Sequence, residues 1–166
     1  MGLNSAQLSI ILQHKNSNSL DYRALIDEVN QSLSQQFAAG TGSAQADLVY
    51  GPVKRTLAGG ASESLDLAGG GLVDAFGNAL NFAKVRAIVI QNLSGAKILT
   101  VGNDANPLVF LGAGANTAVL APTAKLAMDN PVTGWPVTPG TGDKLKVANN
   151  AGDPCDYLIW IVGTSA

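Results

Sequence analysis

Side chains able to act as nucleophile, base or metal ligand are scarce in this sequence. Its one histidine, His14, lies near the start of the 166 residues and its one cysteine, Cys155, near the end. Together they offer thiolate–imidazole chemistry, which separation in sequence does not forbid. A surface histidine and a structural cysteine are the simpler reading, and the one adopted. No His or Cys cluster has the spacing of a zinc site. Asp153 and Asp156 flank Pro154-Cys155, and Asp143 falls near the same end of the expected sheet. Loop aspartates of this kind bind calcium through oxygen, yet Asp is also a common turn residue, and the turn reading accounts for all three. The glutamates, Glu28 and Glu63, are not paired by any pattern with a second carboxylate, as acid–base hydrolysis of a sugar bond requires. Gly69-Gly70-Gly71 and Gly112-Ala113-Gly114 are followed by no helix start and no Lys-Ser or Lys-Thr pair, so they read as turns and not as phosphate loops. Asn92-Leu93-Ser94 fits a glycosylation sequon, read as incidental because no secretory leader is expected. Trp135, between Gly134 and Pro136, is the candidate for an exposed sugar-stacking ring; Trp160 reads as core or interface. The expectation is therefore no catalytic residue, no cofactor and no metal.

Bulk properties point toward assembly. Charged residues make up 13% of the chain, about half the usual share, while mean hydropathy is +0.19. A free monomer normally carries more charge to stay soluble, so much of the surface is expected to lie against partners. A net charge of −2 with scattered cations gives no basic stripe for nucleic acid. No apolar run has the length of a membrane span. A single cysteine forms no internal disulfide and suits a reducing cytoplasm.

Three zones must position whatever the chain does. In residues 1–37, Tyr22, Leu25, Ile26, Val29 and Leu33 recur at three-and-four spacing, which predicts an amphipathic helix over about 20–36. Ser19 would be its N-cap, and Asp21 would meet the dipole in its first turn. Ahead of it, the apolar residues of 8–12 suit a short strand added to another sheet's edge. Residues 38–46 are small and polar and read as a flexible linker. Residues 47–166 alternate short β-like runs with Gly, Pro, Asn and Asp turns. Strands are expected near 47–50, 54–58, 63–68, 84–92, 97–102, 107–111, 117–121, 124–128, 135–138, 144–148 and 156–163, which indicates an antiparallel sandwich or barrel.

One of these strands breaks the usual alternation. Tyr157, Ile159 and Ile161 fall on one face and Leu158, Trp160 and Val162 on the other, so both faces are apolar. Val85, Ala87 and Val89 against Ile88 and Ile90 repeat the pattern. A sandwich strand with one wet face should not look like this. The second face must be covered by the helix or by a neighbouring protomer.

The runs Arg55-Thr56-Leu57-Ala58 and Ser62-Glu63-Ser64-Leu65-Asp66-Leu67, the segment 72–82 (LVDAFGNALNF), residues 84–92, Leu99-Thr100-Val101-Gly102 and the closing 142–166 resemble small virion proteins of tailed bacteriophages. The resemblance covers most of 47–166 and does not extend to the arm. It implies a jelly-roll-like antiparallel sandwich and a structural role without catalysis; with the helix that periodicity predicts in residues 1–37, the chain is expected to be mainly β with an N-terminal helical arm. The implied role is a head decoration or cement protein on the capsid surface, assembled in the bacterial cytoplasm. It would bind the major capsid protein and its own copies as a dimer or trimer, with no nucleic acid or membrane partner. A tail, fibre or spike component touching a host receptor or glycan is the alternative. Leu8, Ile10, Ile11 and Leu12, with Tyr22, Leu25, Ile26 and Val29 from the expected helix, are the candidate partner-binding residues.

Overall fold

The computed structural model describes residues 3–20 and 23–166, and the regular elements among them are all strands. The first two, β1 (Ser5–Leu20) and β2 (Arg23–Ala39), pair antiparallel from Ser5↔Ala38 to Leu20↔Arg23. This overturns the helical arm. Leu25, Val29, Leu33 and Phe37 are spaced by four, and four residues return a side chain to the same face of a strand as well as nearly to the same face of a helix. Between them lie Ile26, Asp27, Asn30, Ser32 and Ser34, which support a helix weakly. β1 breaks the tie by offering a full-length partner. Ser19, expected as an N-cap, pairs with Ala24 in the ladder, while Asp21 and Tyr22 lie outside the described residues.

The β domain follows the expected strand pattern closely. Its strands are β3 (Gln45–Ala46), β4 (Leu48–Leu57), β5 (Ser62–Asp66), β6 (Leu72–Val73), β7 (Ala79–Leu80), β8 (Lys84–Asn92), β9 (Leu99–Gly102), β10 (Thr117–Leu120), β11 (Lys125–Asp129), β12 (Trp135–Pro136), β13 (Lys144–Asn149) and β14 (Cys155–Thr164). Residues 107–111 form no strand and contribute only a bridge from Pro107 to Lys144. Two antiparallel sheets face each other, one ordered β11-β8-β14-β4 and the other β10-β9-β13-β5. Between them lies one core, including Leu57, Leu65, Ile88, Ile90, Val101, Leu145, Val147, Tyr157, Ile159 and Ile161.

Two irregularities interrupt the register of the first sheet. Against β14, the partner of β4 jumps from Ile159↔Val53 to Ile161↔Tyr50, so Gly51 and Pro52 together stand opposite Trp160. Gly51 has a φ of 88°, and a Cβ there would sit 2.4 Å from the Ile159 carbonyl oxygen, so only glycine fits. On the other side, Val162↔Ala87 is followed by Gly163↔Val85, leaving Arg86 as the extra residue of β8. That bulge turns Val85 into the sandwich core beside Ile88 and Ile90, and it re-aims Arg86.

The second apolar face of β14 now has its cover. Val162 and Ala87 are buried with Phe37 and Ala46, and Trp160, Val49, Ala6, Leu8 and Leu3 pack around them. The cover is the root of the arm itself, a strand pair where a helix was expected.

Candidate interaction surface

Alternation sorts the hairpin into two unequal faces. Even positions of β1 and odd positions of β2 share one face, pairing Ala6 with Phe37, Leu8 with Gln35, Ile10 with Leu33, Leu12 with Gln31, His14 with Val29, Asn16 with Asp27, and Asn18 with Leu25. The stripe is thus apolar as far as Val29, and a polar rung separates Leu25 from it. The other face is mostly Ser, Gln and Asn, with the Lys15–Glu28 ion pair and the apolar Ile11 and Ile26 among them. Only the root of the apolar face is covered. Phe37 is fully buried, whereas Ile10, Leu12, Leu25 and Leu33 are 43–54% exposed. A shallow cleft between the Ile10–Leu33 rung and Asp129 of β11 marks where the arm leaves the body. From that rung outward the apolar side chains meet solvent.

A buried cation fixes the root. Arg86 is 2% exposed and donates from Nη1 to the carbonyls of Pro131 (3.0 Å) and Val132 (2.6 Å), and from Nη2 to that of Gly42 (2.9 Å). Its Nε has no protein partner. Ala44 donates to the Pro131 carbonyl at 2.8 Å, and the Gln45 side chain accepts from the Gly42 amide at 2.8 Å. The segment read as a flexible linker thus holds the end of β2, a tied turn and β3, which pairs in parallel with β2. Carbonyl dipoles replace a carboxylate around the guanidinium, joining arm, linker and the 130–134 loop at one point. Its planar fork of donors is what makes this reach possible.

The candidate partner-binding residues divide accordingly. Ile10, Leu12, Leu25 and Val29 lie exposed on the apolar face, with Leu8 half-buried toward the root. Ile11 and Ile26 point from the opposite face, and Tyr22 lies outside the described residues. Leu33 and Phe37 complete the stripe and were absent from that set. Their four-residue spacing from Leu25 and Val29 was the available signal; the expected helix took in Leu33 and stopped short of Phe37.

Residues considered for chemistry are dispersed. His14 lies on the exposed arm, 3.2 Å from Asp27, whereas Cys155 is buried in the sandwich with its Sγ 3.5 Å from Asn92 Oδ1. Burial pushes that thiol up, away from the thiolate. Asp153 pairs with Lys97, and Asp156 with Lys54 (2.7 Å) and Thr56 (2.6 Å). Buried Asp143 accepts from the Gly140 amide at 2.8 Å. Among the described residues no three His, Cys, Asp or Glu side chains are grouped as metal ligands. Trp135 is half-buried and meets Phe110 edge-on, with ring centroids 6.2 Å apart and an interplanar angle of 76°.

One polar cluster was not foreseen. Arg55 donates to Glu63 and, through Nη1, to the Tyr50 hydroxyl at 2.8 Å, and the Tyr157 hydroxyl donates to Glu63 Oε1 at 2.7 Å. It ties β4 and β14 of one sheet to β5 of the other. Burial alone would push the Glu63 carboxyl up, but hydrogen bonds from Arg55 and Tyr157 and the Arg55 charge outweigh it and hold it below its usual range. Burial and then the bond to Glu63 push the Tyr157 phenol up. These groups satisfy one another across the two sheets, so the cluster is a cross-sheet tie. Comparison with protein-family models, curated proteins and solved structures finds no match for this chain.

Proposed function

We propose that this chain is a structural, non-enzymatic protein of a tailed-phage virion. In this reading it is a head decoration or cement protein that binds and stabilises the lattice of the major capsid protein. It acts as a homo-oligomer, dimer or trimer, assembled in the bacterial cytoplasm and carried on the capsid surface. The observation that carries the reading is the projecting hairpin, whose apolar face is anchored at its root and open beyond it. A large exposed apolar stripe on a low-charge protein marks an interaction surface, and a rooted arm can reach a neighbour while the sandwich keeps its own fold.

The order of the strands supports the jelly-roll form of the sandwich. Taking β4, β5, β8, β9, β10, β11, β13 and β14 as first to eighth, one sheet reads first-eighth-third-sixth and the other second-seventh-fourth-fifth. That is the order made by folding a long antiparallel ribbon over into two sheets, the architecture common to many capsid-associated domains. On a shell, weak contacts repeated over many copies sum to a firm attachment without any single tight site. Exposed aromatic rings around Trp135 would favour the tail or fibre alternative, and Trp135 is half-buried with its ring against Phe110.

Electron microscopy of purified particles carrying a tagged chain tests the proposal. Density at regular positions on the head is the expected result. Density confined to the tail would move the protein to the alternative, and a chain missing from particles would remove the virion role.

A further inference from the structure

We infer that the Asp153–Pro154 peptide bond is a self-cleavage site, cut in mild acid by the Asp153 side chain within the folded chain. The inference goes beyond the virion reading and depends on no part of it. The bond lies between the end of β13 at Asn149 and the start of β14 at Cys155, in the run Gly152-Asp153-Pro154-Cys155. Two parts of the chemistry are in the dipeptide itself. An aspartate carboxylate can close a five-membered ring on its own main-chain carbonyl, a nucleophile held in place by covalent structure. The proline nitrogen is a tertiary amide, which takes a proton and leaves more readily than an ordinary peptide nitrogen.

The fold supplies the third part, a donor on the carbonyl under attack. Asn149 is 1% exposed, and its Nδ2 donates to the Asp153 carbonyl at 2.8 Å, sharing its hydrogens with the carbonyls of Ala58 (3.0 Å) and Leu57 (3.4 Å). The amide is held in this orientation because its Oδ1 accepts from the Ala151 amide at 3.0 Å. Gly60 donates to the Ala151 carbonyl at 2.6 Å, and Gly59 lies so close to Gly152 that a Cβ there would strike its carbonyl. The turn is thus fixed around the bond, with a donor in place where negative charge develops on the carbonyl oxygen.

Lys97 prepares the nucleophile. Its Nζ pairs with Asp153 Oδ2, and Oδ1 has no protein partner among the described residues. The Lys97 ammonium holds the Asp153 carboxyl below its usual range, so the attacking carboxylate survives into acid that supplies the proton for the leaving nitrogen. The neighbouring Asp156 is engaged by Lys54 and Thr56, and Cys155 is buried. Asp153 itself is exposed, so water reaches the product of the first step.

The step balances without any added reagent. Asp153 Oδ1 bonds to its own carbonyl carbon, the bond from that carbon to the Pro154 nitrogen breaks, and the nitrogen keeps the electron pair and takes a proton from the medium. The cyclic anhydride left on residue 153 then adds one water and opens to two carboxyl groups. The net change is hydrolysis, with nothing oxidised or reduced. The pieces 1–153 and 154–166 stay together, because β14 is paired with β4 on one side and β8 on the other.

Intact-mass measurement of the full chain under denaturing conditions, after incubation at about pH 4, the usual range of an Asp carboxyl, tests this. Two fragments ending at Asp153 and starting at Pro154 are expected, their masses summing to the parent plus one water. The folded chain, its fold checked by circular dichroism, should be cut at least about tenfold faster than the same chain unfolded in urea at the same pH and temperature, a part of what one placed donor contributes elsewhere. Asp153→Asn should abolish the cut, and Asn149→Ser should bring the folded rate down to the unfolded one. Lys97→Met serves if Asn149→Ser fails to fold. Between about pH 4.5 and pH 3.5 the wild-type rate should keep rising, and that of Lys97→Met should level off as its carboxylate is protonated in the usual range. Cleavage no faster in the folded chain than in the unfolded one, or an undiminished cut in Asp153→Asn, overturns the inference.

Discussion

In the sandwich, each long strand lays its apolar side chains against a second sheet; in the arm, the same alternation meets a second layer only at the root. Tyr157, Ile159 and Ile161 of β14 are wholly buried, and so is Phe37 of β2, but Leu33 one rung pair further out is half exposed. The two regions obey one local rule and differ in what lies opposite. The sandwich closes on itself, and the arm is a strand pair with half of its layer missing. An apolar face with no layer of its own is a request for a partner, and the low charge of the chain is what such a request looks like in composition.

The comparison can be broken first where arm and body join. Phe37→Ala should cost about 3–5 kcal/mol, as for other large aromatic deletions in cores, and urea denaturation would show it. A loss below 1 kcal/mol would mean the root is not part of the folded unit. Arg86→Met comes next. It leaves the Gly42, Pro131 and Val132 carbonyls without their charged donor, and a cost of about 2–3 kcal/mol is expected from bonds to a charged group. Hydrogen exchange should quicken in 40–46 and 130–134 ahead of the sandwich strands, and uniform quickening would remove the clamp role.

Acid sharpens the contrast from the other side. Glu63 is held below its usual range in the fold, so around and below pH 4 the unfolded chain takes up its proton more readily than the folded one. The stability it contributes is present above its unfolded pKa and lost as pH falls through the folded one. Thermal melts of the wild type should therefore decline in that window, and Glu63→Gln should flatten the decline, removing about 1–2 kcal/mol at neutral pH. An unchanged acid slope would count against the cross-sheet tie. The smallest expected effect is Leu33→Ser, under ~0.5 kcal/mol in a dilute sample, because this side chain is already half exposed. A large loss in dilute solution would mean the face is already covered.

How much of this was legible in the sequence follows the same division. Turns of Gly, Asn and Pro and the period-two runs marked the sandwich strands, including the doubly apolar pair β8 and β14, because both local rules and burial agree there. Residues 72–73 and 79–80 were missed as strands, since two-residue ribbons carry no period. In the arm, a spacing of four between Leu25, Val29, Leu33 and Phe37 satisfies helix and strand alike, and only the pairing with β1 decides. That pairing is a contact between distant residues, such as Ala6 with Phe37, which no local pattern records. The Arg86 clamp was hidden for a similar reason, because a bulge and three carbonyls from two other segments make it. The Arg55–Glu63–Tyr157 tie likewise depends on which strands face one another.

Hydrogen exchange of the full chain, free in dilute solution and bound to purified heads, tests the central claim that the arm is the assembling element. Protection is expected to rise in β1 and β2 outward of the Ile10–Leu33 rung, with the sandwich strands unchanged. Unchanged exchange along the arm, with protection gained on a sandwich face instead, would contradict it.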